Sequence, residues 1–167
     1  MSEGASFANT IGNIIDEGRR IKQKREEKEK QAREKSQQLL SMTLVRVNDI
    51  ISPVLDKLRM TLAAKGMDLF GSSNIDPTEE EIRNLLNGKR GTLNVIRILS
   101  WRDWELVDLT VIATLQLNPA VTIRIRVEED GNRLESSPEL TDQKLVEFLE
   151  EAICNLLEKR VRQQSIG

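Results

Sequence analysis

Between residues 93 and 136 the apolar side chains recur at every second position. Val107, Leu109, Val111, Ala113, Leu115 and Leu117 alternate with other residues, as do Val121, Ile123, Ile125 and Val127. A period of two puts one set of side chains on one face of a strand, whereas a helix would scatter them around its axis. The centre of the chain is therefore read as a sheet, and the neighbouring segments must cover it.

Testing turns against the alternation yields one meander of four strands. A turn at Arg102-Asp103 sets Trp101 opposite Trp104, Leu99 opposite Leu106 and Arg97 opposite Asp108. The connection Asn118-Pro119-Ala120 sets Leu117 opposite Val121 and Leu115 opposite Ile123. Asp130-Gly131 is a strong hairpin signal and sets Val127 opposite Leu134, Glu128 opposite Arg133 and Arg126 opposite Glu135. Opposite charges face one another in this register, at roughly 0.2–1 kcal/mol per pair.

Helical periodicity flanks the sheet on both sides. Leu40, Leu44, Val47, Ile51, Val54, Leu58 and Leu62 form a heptad-like stripe and predict an amphipathic helix over 39–65. Ser52-Pro53 predicts a kink or break near 50–53, and Lys65-Gly66 predicts the helix end. Residues 67–75 read as a loop. Asp76-Pro77 opens a short helix over 77–87 with Asp76 as cap, and Asn87-Gly88 closes it. Thr141 caps a last helix over 142–162, with Leu145, Val146, Leu149, Ile153, Leu156 and Leu157 as its buried stripe and Lys159, Arg160 and Arg162 near its C-terminus.

The net charge of −2 conceals an uneven distribution. Residues 1–18 carry −3, residues 19–35 carry nine basic and four acidic side chains, and residues 93–167 carry nine basic and thirteen acidic ones. A basic arm is thus attached to a mildly acidic body. The arm is built from strong helix formers, with Glu26 four before Lys30 and Glu29 four before Arg33. Only Ile21 and Ala32 in it could face a partner helix. Upstream, Phe7, Ile11, Ile14 and Ile15 make a short apolar hook suited to docking rather than to anchoring in a membrane. The domain reading is a flexible N-terminus and charged arm over 1–38, then a single domain over 39–167.

The overall expectation is an α+β fold: a long N-terminal helical arm, a four-stranded antiparallel β-meander packed against helices, and a C-terminal helix. The last helix covers the aliphatic sheet face. The second face then carries Leu93, Val95, Leu99, Trp101, Trp104, Leu106 and Ile112. Such a face must itself be covered, by helix 39–65 or by another subunit. An interface is therefore expected at Leu40, Leu44, Val47, Ile51, Leu58, Leu99, Trp101, Trp104 and Leu106.

Catalytic chemistry has little to build on. The 167 residues contain no histidine, no tyrosine and one cysteine, so the commonest general acid–base, nucleophilic and metal-binding groups are missing. Gly88-Lys89-Arg90-Gly91-Thr92 has Arg90 where a phosphate loop needs serine or threonine for magnesium, and it lacks the upstream glycine. No catalytic residue, metal or cofactor is expected. Cys154 reads as a small buried or half-buried side chain, and a single cysteine with no secretory or membrane-spanning pattern suggests a cytoplasmic protein. The expected role is a non-enzymatic protein-interaction or assembly module, partnered by a second copy or another protein. The alternative is nucleic-acid binding through Arg19, Arg20, Lys22, Lys24 and Arg25 of the arm.

The run from Val121-Thr122-Ile123 through Asp130-Gly131 to Pro138-Glu139-Leu140 and the last helix resembles, in its rhythm, the second half of small bacterial nucleoid-associated proteins of the YbaB type. The resemblance covers less than half the chain and contains no specific motif. It implies the order long helix, antiparallel meander, closing helix, and a DNA-binding alternative, and it assigns no individual residue.

Overall fold

A computed structural model describes residues 3–103, 105–117, 120–138 and 140–166. Helix α1 (Glu3–Ala64) is followed by β1 (Asp68–Ile75), α2 (Glu79–Leu86), β2 (Thr92–Asp103), β3 (Glu105–Leu117), β4 (Val121–Glu129), β5 (Asn132–Glu135) and α3 (Asp142–Ile166). The strands form one antiparallel sheet in sequence order, β1-β2-β3-β4-β5. The α+β architecture is as the sequence predicts, with five strands instead of four. The chain divides into two compact units, residues 1–39 and 40–167.

The additional strand is β1, in the segment read as a loop. Its composition, with Gly71, Ser72, Ser73 and Asn74, gives no alternation of apolar residues. It pairs at the sheet edge instead, Ser72 opposite Leu99 and Ile75 opposite Ile96. Its register slips between Leu69 and Gly71, where Gly71 takes φ 125°, a conformation open to glycine alone.

Two of the three predicted turns set the register found. Leu117 pairs with Val121, Leu115 with Ile123, Val127 with Leu134, Glu128 with Arg133 and Arg126 with Glu135. Asp130 (φ 44°) and Gly131 (φ 78°) both take left-handed conformations, as a primed two-residue turn requires. The charges pair differently from the ladder: Arg126 meets Glu128 at 2.9 Å and Arg124 meets Glu135 at 3.6 Å.

The β2–β3 hairpin differs. Trp101 lies opposite Val107, Leu99 opposite Leu109 and Arg97 opposite Val111. The predicted pairs Leu99–Leu106 and Arg97–Asp108 do not form, and Trp101, expected opposite Trp104, has Val107 there instead. The change in register is odd, so it exchanges the faces of β2 relative to β3. Leu93, Val95, Leu99 and Trp101 thereby join Val107, Leu109, Ala113 and Leu115 on one buried face. Burying each such side chain is worth roughly 1.5–3 kcal/mol, more than the at most about 1 kcal/mol of a cross-strand ion pair such as Arg97–Asp108, which the register found gives up.

All the helices of the unit 40–167 contribute to one core on this inner face. Leu40, Val47, Ile51 and Val54 of α1, Leu85 of α2, and Leu145, Leu149, Ile153 and Leu156 of α3 belong to the same cluster as Leu99, Trp101, Leu109, Ile125 and Val127. The amphipathic stripe of α1 therefore covers its own sheet. Arg46 and Asp142 join α1 to the start of α3 by an ion pair.

Pro53 neither breaks nor ends α1. Its ring lies on an exposed face, and the buried residues Ile50, Ile51, Val54 and Leu55 on either side hold the helix against the core. Tertiary packing outweighs the lost backbone hydrogen bond. The end of α1 is as predicted: Gly66 is left-handed (φ 78°), and the Met67 amide donates to the Leu62 carbonyl at 3.0 Å. Helix α2 starts two residues later than predicted. Thr78 caps it in a reciprocal box with Glu81, and Asp76 is engaged by Arg97 at 2.8 Å instead. Helix α3 runs four residues beyond 162, so Lys159, Arg160 and Arg162 do not lie in its last turn. Cys154, expected at least half-buried, is exposed.

Candidate interaction surfaces

Most of the predicted interface residues serve the interior. Leu40, Val47, Ile51, Leu99 and Trp101 are buried in the chain's own core, Trp101 retaining 3% of its exposure. Leu44 and Leu58 pack partly buried against that core. The tryptophan-bearing surface expected on the second face is thus an inner face for Trp101. Trp104 lies outside the described residues. Of the described predicted interface residues, Leu106 alone is exposed, on the outer face, where Ile75 and Phe70 are exposed as well.

The outer sheet face carries what the corrected register leaves there. A short apolar band crosses it, Ile75 beside Ile96 and Ile96 beside Ile112. Ile112 is 8% exposed and lies outside the core cluster of the inner face. Around the band lie Thr110, Thr114, Thr122, Arg124, Arg126 and Glu128, and Arg102 stacks 5.0 Å over the Phe70 ring. Polar and apolar residues are interspersed, as on an antiparallel sheet with one face towards water.

A second feature joins the hairpin ends to α3. Glu105, Asp108, Glu128, Glu129 and Asp130 line a cavity with Arg160. Arg160 reaches Glu129 at 2.5 Å and Glu105 at 3.1 Å. Glu129 is 2% exposed, so Arg160 supplies the countercharge that a buried carboxylate needs. Sequence alone placed Arg160 at a helix terminus and missed this pair, since the partners are 31 positions apart. Among the described residues no group of acidic, cysteine or histidine side chains is arranged to hold a metal ion.

The N-terminal unit has a different character. From Gly4 to Leu39 its residues are exposed, apart from half-buried Gly12 and Ser36. Phe7 (69% exposed), Ile11, Ile14 (60%) and Ile21 lie along one stripe of the helix, with Ile15 beside it. The predicted pairs Glu26–Lys30 and Glu29–Arg33 do not come within ion-pair distance, and none of the nine basic residues of 19–35 is in an ion pair. Exposed pairs of this kind contribute little and leave long side chains mobile in water. Arg19, Arg20, Lys22, Lys24 and Arg25 are all exposed.

The chain matches no protein-family model, no curated protein and no solved structure. No helix among the described residues is long and apolar enough to cross a membrane.

Proposed function

We propose that the protein is a non-enzymatic assembly module of the cytoplasm that self-associates through the first part of α1. The observation that carries this reading is the exposed stripe of Phe7, Ile11, Ile14 and Ile21 on the part of α1 before residue 40, where no described residue is buried. A helix in globular proteins owes most of its stability to burying an apolar face, and here that face is in water. The body needs no such help, because its helices already cover the inner sheet face. The test is light scattering of the full chain against Ile11→Asp/Ile14→Asp. The full chain gives a concentration-dependent mass above one subunit, and the double variant stays monomeric with the tryptophan fluorescence of the body, where Trp101 is buried, little changed.

A second reading, nucleic-acid binding by the arm, draws on the nine exposed basic side chains of 19–35, which outnumber its four carboxylates and make no ion pair. A mobility-shift assay with duplex DNA and RNA checks it. Binding that falls steeply with salt and is lost on replacing Arg19, Arg20, Lys22, Lys24 and Arg25 by glutamine supports this reading. Absence of binding at low salt removes it.

A further inference from the structure

We infer that residues 7–24 of α1 pair with the same segment of a second copy in parallel and in register, an inference that rests on the self-association reading above. Phe7, Ile11, Ile14, Gly18 and Ile21 follow one another at alternating spacings of four and three, the seam of a coiled coil with Ile11 and Gly18 at a positions and Phe7, Ile14 and Ile21 at d positions. The four large members are all exposed, and the seam spans about 21 Å of helix from Phe7 to Ile21. Arg25 and Lys28 occupy the next a and d positions, so like charges end the apolar contact there.

Orientation follows from what each alignment brings together. In parallel register every large apolar side chain meets its own counterpart. The flanking g and e positions then set Glu17 against Lys22 of the second copy, and Lys24 against its Glu29. An antiparallel alignment of the same segment sets Ile11 against Ile14 but leaves Phe7 opposite Gly18 and Ile21 opposite Gly4. Glu17 and Lys22 then no longer face each other. Hydrophobic matching and charge complementarity both select the parallel arrangement.

The test uses the full chain with Cys154→Ser, so that one new thiol reports position. Ile14→Cys gives a disulfide-linked dimer on mild oxidation, whereas Asn13→Cys, on the outer side of the helix, stays largely unlinked. A self-associating protein in which the two variants crosslink equally poorly overturns the parallel register and leaves self-association standing. A monomer by sedimentation at high micromolar concentration overturns both. As an independent readout, Lys22→Glu weakens association roughly threefold or more, and adding Glu17→Lys restores it. No restoration by the double exchange contradicts the register.

Discussion

Arg160 illustrates how one side chain can hold distant segments together. It joins α3 to the ends of β3 and β4 through Glu105 and Glu129, and only Glu129 is buried. Arg160→Ala strands that carboxylate without its countercharge and is expected to cost about 3 kcal/mol. Glu105→Gln, at an exposed partner, costs less than about 1 kcal/mol. Combining Arg160→Ala with Glu129→Gln is more stable than Arg160→Ala alone, because the buried charge is gone. Urea midpoints of the four proteins check the order. Gly131 makes a complementary case in the backbone. With φ 78° beside Asp130 at 44°, Gly131→Ala imposes a left-handed conformation on an L side chain and lowers stability by about 1–2 kcal/mol, again read from the urea midpoint.

Among the elements, α1 sets local propensity against packing most openly. Pro53 sits within the helix on an exposed face and has no amide to donate. Pro53→Ala restores that donor without removing buried surface, so it is expected to stabilise the protein by about 1–3 kcal/mol and raise its thermal midpoint. A lower midpoint would mean that the ring has a packing role. The same contest explains which elements the sequence discloses. The hairpins at Asn118–Ala120 and Asp130-Gly131 were legible, because short turns with distinctive residues fix register locally. The β2–β3 hairpin was not, since the turn near residue 103 carries no glycine or asparagine and only the burial of Leu99 and Trp101 decides the register. Strand β1 was invisible for a related reason: its small polar residues gain order from pairing with β2, which no local pattern reports. Of the surfaces, the apolar hook at 7–15 and the bare cations of 19–35 could be read directly. The assignment of Trp101 to an interface could not survive, because a one-face error in β2 sends it to the opposite side of the sheet.

For the molecule as a whole, the net charge of −2 is a sum of dissimilar parts, a +5 segment at 19–35 and a body that is −4 over 93–167. The body encloses one core between its helices and the inner sheet face, while Phe7, Ile11, Ile14, Ile15 and Ile21 are exposed. Assembly of copies through that segment is driven by apolar contact, so it persists at salt concentrations that abolish purely electrostatic association. Sedimentation equilibrium of the full chain at high salt, beside Ile11→Asp/Ile14→Asp, tests this most directly. The account predicts a reversible oligomer for the full chain and a monomer for the variant. A full chain that remains monomeric at high micromolar concentration, or a variant that associates as strongly as the parent, would contradict it.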